Sequence, residues 1–468
     1  MTVGESIRND STVRRHLALV ALCLAQFGVV LGFQGTAVSL PEIERGLNLS
    51  VSSSQWLIGA NALAYGGLLL PAGRAADLFG HRRMFIVGST IFAIASLAAG
   101  LAPSFELLIA ARVLQGAGTA ISTPAMFALL ADIFAEGTER RRALAFWGAA
   151  GPLGGVGAVL LGGAMAEVLG WRAVFLLGAP ITLPALIFAR SIFPDSHQRL
   201  RGRLDPLGAL TGAVGIGVLV YSLGKLSNDG AISPIPLALL MGGLGLLGVF
   251  IAIERRSDSP LIPPSLLRER ELVRAIAVAA FQGAATNTPM VFYSLFMQEL
   301  RGLSAWETGL GFIPCNLAIM VGSVIGARMA GRSGFRLPMG LGMGIVAVGL
   351  VTMVTVSLGG SFFLTLLPGL VLLGTGLGIA QVAVIGAATG AARMAERGAA
   401  GGLVNAAAQI GTALGLAALV TVSNRASGDI QTVRVAFVGA GVFALLGCLA
   451  AFTPFGFRRV RSIALHRT

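Results

Sequence analysis

Long apolar runs constrain this chain more than any other feature of its sequence. Fourteen such runs follow one another, each close to the ~20 residues that a helix needs to cross a bilayer. Their approximate extents are 17–40, 56–72, 84–102, 105–131, 143–166, 172–192, 206–223, 235–253, 272–297, 305–327, 337–357, 362–386, 400–422 and 434–455. Only 12% of the 468 residues are charged, whereas soluble domains carry about 25%. The sequence therefore excludes a water-soluble enzyme and predicts an all-α integral membrane protein with 14 transmembrane helices.

Basic residues are distributed unequally between alternate loops. When the fourteen runs are taken as spans, 27 of the 34 basic residues fall on one side, six fall on the other, and Arg112 lies inside a run. Cytoplasmic loops carry the excess of Lys and Arg in membrane proteins. We therefore expect a multi-pass protein of the plasma (inner) membrane with both termini in the cytoplasm. The net charge of +13 is then a sign of topology, and no nucleic-acid partner is expected.

Catalytic and metal-binding groups are scarce within the runs. The three cysteines lie in separate runs without a CxxC spacing, the four histidines lie in termini or loops, and no Asp or Glu lies near the centre of a run. Metal sites and general-base sites need such groups in one place. We expect no metal, no cofactor and no enzymatic activity. A non-transporting membrane sensor or a lipid enzyme is the alternative outside transport.

Two loops of the chain are similar to each other. The loop at 73–83 and the loop at 327–336 share glycine and arginine positions at one offset. The matched pairs are Gly80 with Gly334 and Arg82 with Arg336. Related halves with a transport site at their interface explain such a repeat. We expect a six-helix bundle at 1–204, two additional transmembrane helices at 205–255 and a second six-helix bundle at 256–468.

The first of these loops also resembles a known family. Residues 73–83 are similar to the characteristic loop of the major facilitator superfamily, and the run Arg112-Val-Leu-Gln115-Gly116-Ala-Gly118 is similar to its fourth-helix motif. The fourteen runs, together with the stretch from Gly401 to Asn405, resemble the fourteen-span drug:proton antiporter branch. The resemblance implies alternating access, with cytoplasmic substrate moving outward and protons moving inward.

Two stretches depart from that branch. The branch has an acidic residue in a first-span pattern like Leu-Asp-x-Thr-x-Val-Asn-Val-Ala-Leu-Pro, where this chain has Gly32. The fifth-span pattern Gly-Pro-x-x-Gly-Gly is represented by Ala-Val-Leu-Leu-Gly-Gly at 158–163. We expect a secondary active exporter of hydrophobic or amphiphilic small molecules, with protons as a partner. The alternative is a facilitator or an exporter of neutral or acidic compounds without standard proton antiport.

A first group of residues is expected to gate or couple transport. Its members are Asp77, Arg82, Arg112, Gln115 and Gly116. Burying a lone charge such as that of Arg112 costs at least ~2.5–3.5 kcal/mol, so this residue either clamps neighbouring carbonyls or couples transport. Asp77 lies among arginines near a helix N-terminus, where a carboxylate is stabilised by charge-assisted hydrogen bonds. It can therefore hold the cytoplasmic side closed and release it when it is protonated. The alternative for Asp77 is an ordinary solvated loop acid.

A second group consists of uncharged polar residues at depth, which are candidates for substrate contact. Its members are Gln26, Gln34, Asn61, Tyr65, Gln282, Asn287, Tyr293, Gln381 and Asn405. The alternative for each is a hydrogen bond between helices, worth ~0.6 kcal/mol on average. Without a central carboxylate, a cationic substrate would depend on aromatic faces. We expect membrane lipids as the surroundings and the monomer as the functional unit.

Overall fold

The structure is a computed structural model. It describes residues 3–49, 51–134, 138–194, 206–228, 234–256, 266, 268–356, 358–391, 397–423 and 429–453. Within these ranges the regular elements are all helical, as expected in hydrocarbon, where a helix satisfies its own backbone polar groups.

The helices follow in chain order, and two π-helical segments continue α6 and α12. The first half and the pair after it contain α1 (Val3–Val38), α2 (Leu40–Leu47), α3 (Val51–Phe79), α4 (His81–Gly100), α5 (Phe105–Ile133), α6 (Thr138–Gly157), the π segment Ala158–Gly163, α7 (Ala164–Leu169), α8 (Trp171–Leu176), α9 (Gly178–Ile192), α10 (Pro206–Asn228) and α11 (Pro234–Arg256). The rest contains α12 (Arg270–Leu295), the π segment Phe296–Leu300, α13 (Ala305–Ser333), α14 (Arg336–Met353), α15 (Phe362–Thr365), α16 (Leu367–Ala391), α17 (Arg397–Ser423) and α18 (Asp429–Phe452).

The predicted all-α membrane architecture is confirmed, but the number of spans is not. Each of the fourteen apolar runs lies on one or more of the helices. Within the described residues, ten helices are long and apolar enough to cross a membrane. Two shorter apolar helices cover Trp56–Leu69 and Leu207–Leu219. Fourteen spans therefore stay a prediction.

Glycine brings helices into close contact in the first half of the chain. A Cβ atom added at Gly118 of α5 would lie 2.6 Å from the backbone nitrogen of Phe92 on α4. A Cβ atom added at Gly88 of α4 would lie 2.8 Å from the carbonyl oxygen of Gly118. Helices in lipid associate through such close backbone approach because no hydrophobic effect drives them together. These glycines therefore set the distance between α4 and α5.

The second half repeats this arrangement. A Cβ atom added at Gly342 of α14 would lie 2.6 Å from the carbonyl oxygen of Gly376 on α16. Gly342 stands at the same offset from Gly88 as Gly334 does from Gly80. The similarity seen between two loops thus extends to the packing of the helices beside them.

Helices α10 and α11 form a hairpin on one side of the molecule. A Cβ atom added at Gly215 of α10 would lie 3.2 Å from Cβ of Leu246 on α11, and α10 also packs against α3 and α17. One of its contacts joins Ala213 to Gly67 of α3, where an added Cβ atom would be 3.1 Å away. Of the 23 residues of α11, only Pro236 and Gly243 are buried. The hairpin therefore lies on the outer side of α3 and α17.

We expect Gly118→Ala to lower the melting temperature of the purified protein. The added methyl group meets backbone rather than a movable side chain, and overpacking of this kind costs about 1–3 kcal/mol. The control is Gly245→Ala on α11, where an added Cβ atom meets open space and the helix gains roughly 0.5–1 kcal/mol. Thermal unfolding in detergent measures both variants. Equal melting temperatures would contradict the packing argument.

Candidate transport site

Arg112 holds three helices of the first half together. Its side chain is 1% exposed. The Nε atom donates a hydrogen bond to the carbonyl oxygen of Leu57 on α3 at 2.8 Å, and Nη1 donates to the carbonyl oxygen of Gly32 on α1 at 3.4 Å. Nη1 also donates to Oε1 of Gln115, one turn along α5, at 2.7 Å. These are the contacts expected of a clamp on neighbouring carbonyls, and a coupling role stays a prediction.

The contacts around Arg112 extend to two further helices. Nε2 of Gln115 donates to Oγ of Ser96 on α4 at 2.8 Å, and Nδ2 of Asn61 donates to the carbonyl oxygen of Arg112 at 3.1 Å. The Cζ atom of Arg112 lies 5.9 Å from the ring centroid of Phe175 on α8. Asn61, a candidate for substrate contact, is thus part of this cluster.

Gly116 allows α5 to approach α3 beside the cluster. A Cβ atom at this position would lie 2.9 Å from Cβ of Ala64 and 3.1 Å from the backbone nitrogen of Tyr65, and it would also meet the carbonyl oxygen of Asn61. No larger residue fits here without separating the two helices. Gly116 therefore places Arg112 within reach of α3.

We call one end of the molecule the arginine-rich end: here α3 meets α4 near Gly80, and α13 meets α14 near Gly334. Two expected gating residues, Asp77 and Arg82, lie at this end. Asp77 is on the last turn of α3, and its side chain lies outside the described part of the structure. Nη1 of Arg82 donates to the carbonyl oxygen of Phe193 at 3.2 Å. Arg82 therefore ties the start of α4 to the residue that follows α9.

Polar candidates from different halves meet at two places. Nδ2 of Asn405 on α17 donates to the hydroxyl of Tyr65 on α3 at 2.8 Å. At Gly155 of α6, an added Cβ atom would lie 2.5 Å from Oε1 of Gln34 and 2.6 Å from Oδ1 of Asn316 on α13. Asn316 is 3% exposed. Sequence reasoning missed it, although an amide at depth in the tenth run satisfies the criterion applied to the other candidates.

The remaining candidates are not brought together at one point. The hydroxyl of Tyr293 donates to the carbonyl oxygen of Thr308 at 3.2 Å, inside the core of the second half. Gln282 is buried and Gln381 is exposed. The Oε1 atom of Gln26 is buried and has no hydrogen-bond partner among the described residues. The side chain of Asn287 lies outside the described part.

A cavity of about 60 Å³ lies between the halves. Gln34 and Thr412 are its polar lining residues. The lining is completed by Phe33, Ala37, Val38, Ile58, Val159, Met290, Val291, Phe312 and Leu416. Thr412 is a second residue that sequence reasoning missed.

We call the opposite end of the molecule, where α1 meets α2 near Ser39, the arginine-poor end. The halves are in contact there, beyond the cavity. Nε2 of Gln298 donates to the carbonyl oxygen of Val38 at 3.4 Å. A Cβ atom added at Gly163 would lie 3.3 Å from Cα of Trp306. These contacts close the arginine-poor end.

Closer to the arginine-rich end, two glycines on these helices have open surroundings. Gly148 lies two turns before Gly155 on the same face of α6, and a Cβ atom added there meets nothing within 4 Å. Gly401, one turn before Asn405 on α17, has the same open surroundings. Among the described residues, the halves are therefore in contact at the arginine-poor end and at Tyr65 and Asn405, whereas the surroundings of Gly148 and Gly401 are open.

An acidic residue at the arginine-poor end has an altered proton affinity. Burial raises the pKa of the Glu42 carboxyl above its ordinary value, Arg45 opposes this shift, and the like charge of Glu167 adds to it. A carboxyl in such surroundings binds a proton at a higher pH than a solvated one. Glu42 is a titratable group that the sequence did not single out.

Comparisons with known proteins agree with this geometry. The family model for the Major Facilitator Superfamily matches residues 22–416 and 275–463. A POT family transporter, solved in complex with a thioalcohol-conjugated peptide, superimposes with a TM-score of 0.66. The match covers 92% of this chain and 94% of that one at 13% sequence identity. This structural similarity concerns the fold alone.

Curated relatives are similar over most of their length. The puromycin resistance protein pur8 of Streptomyces alboniger is 36% identical, over 88% of this chain and 83% of its own. The cephamycin export protein CmcT of Amycolatopsis lactamdurans is 35% identical, over 96% and 93%. The lincomycin resistance protein of Streptomyces lincolnensis is 30% identical, over 94% and 92%.

We expect Arg112→Ala to abolish transport. Arg112→Lys should restore it to only about a tenth of the wild-type rate, because lysine keeps the charge but lacks the planar fork that reaches two helices. Export from proteoliposomes, normalised to the amount of folded protein, measures this. Full activity of the lysine variant would indicate that a point charge at this position is sufficient.

Proposed function

Because the chain belongs to the Major Facilitator Superfamily, we propose that it is a secondary transporter that exports hydrophobic or amphiphilic small molecules, such as drugs or secondary metabolites. The observation that carries this proposal is a cavity lined by both halves, with contacts between the halves beyond it at the arginine-poor end. The names of the relatives support export and resistance as the class of activity. Alternating access follows if the contacts exchange from one end to the other.

The arginine-rich end faces the cytoplasm in this proposal. The positive-inside rule supports this orientation, which places both termini in the cytoplasm of a plasma-membrane protein. The described conformation then corresponds to the state that accepts substrate from inside. The transporting unit is a monomer, with six-helix bundles at 1–204 and 256–468 and an additional pair of helices at 205–255.

Substrate contact is assigned to the polar side chains that face the gap between the halves. Gln34 lines the cavity, and Tyr65 and Asn405 join the halves across it. Asn316 is added to this group because it meets Gln34 at Gly155. Gating belongs to the arginine-rich end, at Asp77 and Arg82, and to the Arg112 cluster with Gln115 and Gly116.

The charge of the substrate follows from Arg112. This guanidinium is a formal charge buried at membrane depth. It donates a hydrogen bond to the carbonyl oxygen of Gly32 rather than to a carboxylate. A permanent cation entering a region of low dielectric constant would find no opposite charge to compensate it. Neutral or weakly acidic amphiphiles therefore fit better. An exporter of such compounds without standard proton antiport is the second candidate, favoured by Gly32.

We expect proteoliposomes to export an uncharged amphiphilic dye more efficiently than its quaternary ammonium analogue, because the cation has no compensating carboxylate. Both dyes are measured with and without an imposed pH gradient. Dependence on the gradient supports antiport, with Asp77, Asp205, Glu299, Glu307 and Glu42 as candidate proton sites. Saturable export of the quaternary dye at equal or higher efficiency would contradict the charge argument.

We expect Asp77→Asn to abolish transport while the expression level and melting temperature stay near those of the unmodified protein. A charge that stabilises one conformer rather than the fold has this effect. Export assays and thermal unfolding of the same preparation separate the two. Wild-type export by the variant would identify Asp77 as an ordinary loop acid.

A further inference from the structure

A glycine on α6 leaves room for two amide side chains at the boundary between the halves. A Cβ atom added at Gly155 would lie 2.5 Å from Oε1 of Gln34 on α1 and 2.6 Å from Oδ1 of Asn316 on α13. Both distances are too short for a real Cβ atom, so a residue other than glycine would displace the two oxygen atoms. Two hydrogen-bond acceptors, one from each half, therefore converge on the same point.

The amide of Asn316 is held with its oxygen toward Gly155. Its side chain is buried, and Nδ2 donates a hydrogen bond to the carbonyl oxygen of Phe312, one turn earlier on α13, at 3.2 Å. Since the nitrogen is engaged in this bond, the amide presents its oxygen atom to Gly155. An amide oxygen accepts hydrogen bonds but has no hydrogen to donate. A molecule that binds at this point must therefore bring the donor.

The cavity between the halves reaches these amides. Gln34 is one of its lining residues, and so are Phe312, one turn before Asn316, and Val159, one turn after Gly155. Apolar walls with a few polar groups are typical of sites that orient an apolar ligand by its polar end. A hydrogen bond counts for more in such surroundings, because an acceptor left without a partner is costly there.

A further amide on α1 shows the same excess of acceptors. Oε1 of Gln26, two turns before Gln34, is buried and has no hydrogen-bond partner among the described residues. Its Nε2 atom lies 3.8 Å from a Cβ atom added at Gly151, one turn before Gly155 on α6. Buried polar atoms without a partner are rare in folded proteins. The boundary between α1 and α6 thus offers acceptors beyond those that the described side chains satisfy.

From these contacts we infer that Gln34 and Asn316 select substrates by a hydrogen-bond donor at the polar end of a neutral or weakly acidic amphiphile. A primary amide brings two N–H groups and meets both oxygen atoms at once, whereas a hydroxyl or an undissociated carboxyl meets one. Ethers, esters and fully alkylated nitrogen groups lack the hydrogen atom and are discriminated against. The inference rests on the proposed export function for what is transported, while selectivity in binding is measured without it.

Two dyes that differ in their donors test this selectivity. Dansylamide has two N–H groups, and methyl groups replace both hydrogens in its N,N-dimethyl analogue. Equilibrium dialysis against the full chain in nanodiscs, with empty nanodiscs subtracted, gives the two dissociation constants. We expect dansylamide to bind roughly fivefold more tightly, and Asn316→Leu or Gln34→Leu to lower this ratio to about twofold. Equal binding of the two dyes, or no binding of dansylamide, would overturn the inference, and an unchanged ratio in either variant would contradict the role of that residue.

A pair of glycine variants tests the same point without removing an amide. Gly155→Ala displaces both oxygen atoms and should weaken the binding of dansylamide roughly fivefold. Gly151→Ala, one turn away on the same face, places its Cβ atom at an ordinary 3.8 Å from the nearest neighbour and should leave binding unchanged. Unchanged binding by Gly155→Ala would contradict the inference.

Export of both dyes from proteoliposomes separates the inference from the proposed function. If dansylamide binds selectively but is not exported, the proposed function fails for this class of compound and the selectivity stands. If both dyes are exported and bound equally, the inference fails and export stands.

Discussion

The hydrocarbon layer of the membrane contains no water, and this constrains every buried polar group of the protein. A polar group buried there has to find its partner within the protein, and the guanidinium of Arg112 shows what this requires. The carbonyl oxygens of Leu57 and Gly32 accept hydrogen bonds from its Nε and Nη1 atoms, Gln115 connects it to Ser96, and its Nη2 atom is buried without a partner among the described residues. One charged side chain thereby fixes the relative positions of α1, α3, α4 and α5. Separating these helices would remove the partners that this charge has.

In the hydrocarbon layer the hydrophobic effect does not drive helices together, and close approach of their backbones takes its place. Gly88 and Gly118 bring α4 and α5 together, and Gly342 and Gly376 do the same for α14 and α16. Among the described residues, the halves contact each other at Gly155, at Gly163 and between Tyr65 and Asn405. Close packing within each half, with a cavity between the halves, suits a rocking motion of one half against the other.

The additional helix pair makes the two sides on which the halves face each other, α3 with α17 and α6 with α13, unequal. Helix α10 covers α3 and α17, as the contact of Ala213 with Gly67 illustrates. The side formed by α6 and α13 has no such cover among the described residues.

Much of this architecture could be predicted from the sequence, because the length of an apolar run and the spacing of basic residues are local properties. The helices over the fourteen runs, the related halves and the isolation of Arg112 all follow from such patterns. Partners separated in the chain were decided only by tertiary packing. Asn61 donates a hydrogen bond within the Arg112 cluster, Tyr293 lies in the core of the second half, and Asn316 and Gln34 both lie beside Gly155. A single polar residue on an apolar helix does not reveal which neighbour its face will meet, because that depends on how whole helices pack.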